Sequence, residues 1–241
     1  MSAEEYEVTI GMAAATAAAL SAEGSRLCAM LAVEAADQAT LPVLWLQTGQ
    51  YSTKTTVRWP GACSAYTSPW QGPIKAGGTI TPGFSAPMSA GQQLSVDQPI
   101  GTGEVTTPGP MADAIAVLNE TTTPLATGIA QELNGAFPPI CASPLYGKSV
   151  ELFVPLEQIL LAFSNIRARP GTVVTSLFAP GMLVDLTGVT ARTVQFDINQ
   201  GWSCGGATWG QAVGATDDVV PLLVRQSAEL SRAARSMAAT L

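Results

Sequence analysis

The chain of 241 residues contains no histidine. That absence excludes Ser-His-Asp and Cys-His nucleophile systems. It excludes His-ligated zinc, copper and non-haem iron, and it removes the usual general base near neutral pH. Charge is scarce as well. Charged residues make up 12% of the chain, about half the ordinary share. Lysine occurs only at Lys54, Lys75 and Lys148, and the net charge is −7. No basic stripe exists to neutralise phosphates, so nucleic acid is not an expected partner. Attraction to an anionic lipid surface is not expected either.

No apolar run reaches the ~18 residues of a membrane span. The Ala-rich stretch 12–22 is apolar, but Glu4, Glu5 and Glu7 precede it where a secretory signal carries Lys or Arg. The expected location is cytoplasmic, or outside the cell after release without a signal peptide. The sequence also lacks any CxxC pair. Cys28, Cys63, Cys141 and Cys204 are widely spaced and read as buried free thiols. No metal or other cofactor is expected. Neither Gly101-Thr-Gly103 nor Gly205-Gly206 is followed by the Gly-Lys-Ser/Thr of a phosphate loop. Asp197-Ile-Asn-Gln-Gly201 opens like a calcium loop but has no closing Glu, and it reads as a strand running into a turn.

What the chain does have is 47% hydrophobic residues, which excludes disorder. It also has 23 Gly and 17 Pro that break it into short runs, with Thr, Ser and Gln between them. That rhythm predicts many short strands and turns. Strands are expected over residues 6–10, 42–48, 55–59, 79–81, 93–97, 150–154, 158–164, 172–178, 182–186 and 192–198. Residues 27–34 and 112–118 are ambiguous between strand and helix, and Pro155 is expected to split residues 150–164 in two. Residues 192–198 alternate best, with Val194, Phe196 and Ile198 on one face and Thr193, Gln195 and Asp197 on the other. Such alternation belongs to an antiparallel sheet with one wet face. The segments 78–88 and 171–182 are faintly alike: chance in a chain this rich in Gly, Thr and Pro, or two related half-sheets.

The expected fold is mainly β: an antiparallel β-sandwich, or flattened barrel, with long Pro/Gly-rich loops and an amphipathic C-terminal helix. Residues 1–221 form the sandwich domain. From Leu222 onward there is neither Gly nor Pro. Leu223, Leu230, Ala234, Met237 and Leu241 fall on one side at about 100° per residue. A helix over 222–241 is therefore expected, packed on its own domain or on a partner subunit in a homo-oligomer.

Chemistry-bearing groups do not form a clear set. Glu151 and Glu157 flank Pro155. Asp185 and Asp197 would approach each other if their strands formed a hairpin about Gly188, as a glycosidase pair requires. A solvated strand face explains the same residues. The aromatic residues are more distinctive. Five are Trp. Trp45 sits in an apolar run and reads as core. Trp59, Trp70, Trp202 and Trp209 lie beside Gly, Pro and polar residues, in expected loops. Tyr51, Tyr66 and Tyr146 could extend the same surface. Loop rings of this kind stack on sugars, on flat apolar ligands or at a membrane interface, or else they cap the open ends of a β core.

In composition the chain resembles small β-sandwich lectins and cytolysins. The leading expectation is a non-catalytic protein that binds a glycan, lipid or similar surface through Trp202, Trp209, Trp70, Trp59, Tyr66 and Tyr51. The first alternative is a histidine-free, metal-free enzyme or small-molecule binder of cyclase or isomerase type. Its polar groups would be Tyr51, Tyr66, Asp185, Glu157 and Asp197, and it requires an apolar cavity of ~300 Å³ or more. The second alternative is a structural protein that self-assembles.

Overall fold

The computed structural model describes residues 4–69 and 72–239. Trp70 and Leu241 therefore lie outside the described residues. The chain runs through β1 (Glu5–Gly11), α1 (Ala14–Ala22), β2 (Arg26–Ala35), β3 (Leu41–Pro42), β4 (Leu46–Thr48), β5 (Lys54–Pro60) and β6 (Cys63–Pro69). It continues through β7 (Phe84–Met88), β8 (Gln92–Val96), β9 (Gly103–Thr106), β10 (Ile115–Asn119), β11 (Leu125–Gln131) and β12 (Cys141–Leu145). Next come β13 (Ser149–Ser164), β14 (Gly181–Asp185), β15 (Ala191–Asp197), β16 (Gly201–Ser203) and β17 (Gly210–Val213). The chain closes with α2 (Val220–Leu223), β18 (Val224–Gln226) and α3 (Ala228–Ala238).

The fold is mainly β and sandwich-like, with no closed barrel among the described residues. One large sheet has the path β17-β14-β13-β10-β8-β9, with β2, β4 and β18 attached through β2. A five-stranded sheet, β3-β12-β11-β6-β7, and a four-stranded sheet, β16-β15-β1-β5, complete the β structure. Most pairs are antiparallel. The parallel exceptions are β1 with β15, β8 with β10, and β2 with β18.

β2 explains its own ambiguity. Leu27, Ala29, Leu31, Val33 and Ala35 point into the main core between the sheets. Cys28, Met30 and Ala32 point the other way, into a second apolar cluster with Leu44, Leu160, Ala162 and Leu177. A strand buried on both faces loses the alternation that identifies strands. Its large sheet thus has a covered outer face, and that face carries the candidate site.

Several expected boundaries differ from the structure. Pro155 does not end a strand: β13 runs through it, and the register against β2 shifts between Pro155 and Ile159. A bulge accommodates a residue that has no N–H to donate. The other edge of β13 pairs with β10 before the shift and with β14 after it. Residues 42–48 are interrupted after Pro42. Residues 172–178 and 79–81 form no strand; they touch through an isolated bridge between Thr79 and Thr172. The two similar segments therefore meet each other, with Ile80 N donating to Gly171 O and Val173 N to Gly78 O.

The C-terminal segment is shorter as a helix than its pattern suggests. Leu223 ends α2, and residues 224–226 form β18 beside β2. Ser227 then caps α3 by accepting from Leu230 N. Leu223 and Leu230 are buried, 0% and 3% exposed, within their own chain. Leu230 and Ala234 pack on Ala114, Ala116 and Leu152, and Met237 packs against the same cluster. Leu223, Leu230 and Ala234 are thus packed within their own chain. No helix among the described residues is long and apolar enough to cross a membrane.

Candidate functional site

The outer face of the large sheet carries a half-open cavity of about 590 Å³. Its floor is Cys28 and Met30 of β2 with Ala162 of β13, and Leu44 and Leu177 close its sides. The roof is the irregular segment 164–179, facing residues 76–81. No acidic residue lines it among the described residues. The charged groups there are Arg167 and Arg169, both exposed and neither in an ion pair among the described residues. Beside them stand two exposed apolar side chains, Ile166 at 42% and Phe178 at 70%.

The roof is held by main-chain bonds. Val174 N donates to Pro42 O, Leu44 N to Thr172 O, and Gly171 N to Leu44 O, at 3.0, 2.8 and 2.8 Å. Gly171 adopts a φ of +87°, and a Cβ there would collide with the Ile80 carbonyl. The Arg-Pro-Gly turn at 169–171 thus needs glycine for both conformation and space. Gln47 clamps the next stretch: its Nε2 donates to Ile166 O at 2.9 Å and its Oε1 accepts from Ala168 N at 3.0 Å. Segment 166–174 is therefore preformed, although it contains no strand.

Cys28 is 7% exposed. Burial pushes its thiol up, while the Gln47 amide and the positive charge of Arg26 act the other way. It stays protonated at neutral pH. All four cysteines are free. Burial pushes Cys63 and Cys141 up to about 12, and Cys204 is only half-buried.

The aromatic residues expected at one surface are dispersed. Trp59 lies in β5, not in a loop, and is 4% exposed. Tyr6 stacks on its ring at 5.7 Å, and Trp45 meets its edge at 5.8 Å. Tyr66 is fully buried in β6, where its hydroxyl donates to Cys141 O at 2.6 Å. Neither ring is available to a ligand, because both strands turn these side chains into the core. Tyr51 and Trp202 do come together. They flank Phe163, Tyr51 edge-on at 5.2 Å and Trp202 stacked at 5.5 Å, with Phe196 alongside. Trp202 Nε1 donates to Pro180 O, and Tyr51 donates to Ser25 O. Trp209 is half-buried under the Arg192 guanidinium at 4.8 Å. None of these rings lines the cavity.

The carboxylates also disperse. β14 and β15 belong to different sheets, so Asp185 and Asp197 form no hairpin. Asp185 accepts from Thr187 N, and Asp197 accepts from Asn199 N and Gln200 N. Each closes its own turn. Glu157 accepts from the Tyr6 hydroxyl at 2.9 Å. No group of three potential metal ligands occurs among the described residues. The chain matches no protein-family model, no curated protein sequence and no solved structure.

Proposed function

We propose that this protein binds a small, largely apolar ligand in the cavity on the outer face of its large sheet. The observation that carries the reading is the cavity itself. Its volume of about 590 Å³ falls in the ~300–1,000 Å³ range of small-molecule sites. It also has the usual make-up of such sites, an apolar floor with a few polar groups at the edge. The roof bonds to Pro42, Leu44 and Gln47 favour binding, because a preformed wall loses little entropy when a ligand enters.

Binding is favoured over chemistry. The cavity offers hydroxyls, one amide, two guanidinium groups and a protonated thiol. It has no base to activate that thiol, and a thiol needs ionisation to attack. Recognition through loop aromatics has less support, since Trp59 and Tyr66 are buried and Trp202 is engaged by Phe163 and Phe196.

Native mass spectrometry of protein purified gently from its own cells tests the reading. The expected result is one small molecule retained per chain, and its loss from an Ala168→Phe variant that fills the roof while keeping the wild-type circular dichroism. A bare wild-type protein that also takes up nothing from a screen of apolar compounds would overturn it.

A further inference from the structure

Resting on that reading, we infer that the ligand is an anionic amphiphile. Its apolar body lies on Cys28, Met30 and Ala162, and its acidic head lies at the mouth beside Arg167 and Arg169. The site assigns the head chemistry by exclusion and by complementarity. Among the described residues every other lining side chain is apolar or neutral, and the only formal charges are these two guanidiniums. Neither is neutralised by a carboxylate of the chain among the described residues.

This local field opposes the charge of the whole molecule. The chain carries −7 and only eleven Lys and Arg, yet two of those cations line one apolar cavity. At physiological salt the Debye length is about 8 Å. A head group at the mouth therefore responds to the adjacent guanidiniums, while the distant carboxylates are screened. Guanidinium presents a planar fork that matches carboxylate, sulfate and phosphate oxygens two at a time. The lip suits the junction between head and tail, because Ile166 and Phe178 are exposed beside the arginines.

The arginines are exposed, so their contribution is moderate and sensitive to salt. Calorimetric titration with decanoate, decyl sulfate and decanol separates head from tail. The expected result is one site per chain, with decanoate and decyl sulfate about 10-fold tighter than decanol. The preference should shrink as salt is raised. In an Arg167→Gln/Arg169→Gln variant it should vanish while decanol binds as before. An Arg225→Gln/Arg232→Gln variant, altered at the C-terminal end of the chain, should keep the full preference. Equal affinity for decanol and decanoate in the wild type, or a preference that survives loss of both arginines, would overturn the anionic head and leave the cavity reading intact. Binding of none of the three probes would overturn the cavity reading and this inference together.

Discussion

The side-chain amide of Gln47 stands 3.2 Å from the thiol of Cys28, and the same amide holds the roof above that thiol. One polar side chain on β4 thus joins the floor of the cavity to its cover. Gln47 is half-buried and uses both ends of its amide on the main chain of 166–168. No residue of another type satisfies all three partners. Glutamate cannot donate to Ile166 O, and leucine of similar reach offers neither bond.

Replacing Gln47 by Ala should therefore loosen the roof without unfolding the sandwich. Each lost bond is worth about 0.5–1.5 kcal/mol, so a total loss near 2 kcal/mol is expected. Because the Ala168 amide loses its acceptor, its hydrogen exchange should accelerate by ten-fold or more. Exchange at Ala168 unchanged from wild type would show that the roof is held by Leu44 and Pro42 alone.

Glu151 makes stability depend on pH. It is 5% exposed on β13, and its Oε2 has no hydrogen-bond partner. Burial, and then the negative charge of Asp37, push its carboxyl up to about 9, with Ser143 acting the other way. The unfolded carboxyl titrates near 4.3. The folded state therefore keeps a proton that the unfolded state releases. The contribution of Glu151 is most favourable below the unfolded value and declines as pH rises toward about 9. The decline is roughly 1.4 kcal/mol per pH unit across that window. Glu151→Gln should match the wild type at pH 5 and exceed it by about 2–4 kcal/mol at pH 8, read from urea unfolding at both pH values. Parallel pH profiles for the two proteins would contradict the assignment.

The fold was more legible in the sequence than the site. Residues 192–198 show their strand because one face is wet, and β15 follows the alternation of Val194 with its polar neighbours. β2 hides its strand character because both faces are covered. Yet that double burial was itself a signal that something lies over Cys28 and Met30. The bulge at Pro155 could not be read, because it depends on the register against β2. The cavity joins β2, β13 and segment 164–179, so no local pattern announces it. Its one local trace is Arg167 and Arg169 around Ala168, two cations close together in a chain with little charge. Trp59 and Trp202, expected in loops, lie in β5 and β16. Gly and Pro neighbours mark where the chain turns, but the rings at 59 and 202 fold inward to fill space between sheets.

The four cysteines should separate by burial and by ionisation. With iodoacetamide at pH 8 on the native protein, Cys204 should react first because it alone is half-exposed. Cys28 should follow slowly from its cavity. Cys63 and Cys141, held near 12, should react only after unfolding. Decanoate bound over the floor should protect Cys28 and leave the rate at Cys204 unchanged. Peptide mapping by mass spectrometry reads all four rates. Rapid labelling of Cys141 in folded protein would contradict the packing of β11 against β12.

That packing has a sharper test at Gly128. β11 lies between β6 and β12, and at Gly128 it passes the Tyr66 hydroxyl and the Cys141 carbonyl, which are bonded to each other. A Cβ at residue 128 would collide with the Cys141 carbonyl oxygen and stand 2.9 Å from the Tyr66 hydroxyl oxygen. The obstacles are a strand backbone and a fully buried ring, so neither can swing aside. Gly128→Ala should cost about 2–4 kcal/mol, through overpacking and a weakened buried hydrogen bond. Gly49→Ala is the control: nothing lies within 4 Å of its Cβ position, and the change should stay within about 0.5 kcal/mol. Tyr66→Phe distinguishes the two sources of the loss. If the lost bond dominates, it should reproduce most of the Gly128→Ala effect in urea unfolding. If steric conflict dominates, Tyr66→Phe should cost about 1 kcal/mol, and adding it to Gly128→Ala should recover part of the stability by removing the hydroxyl that the new methyl meets.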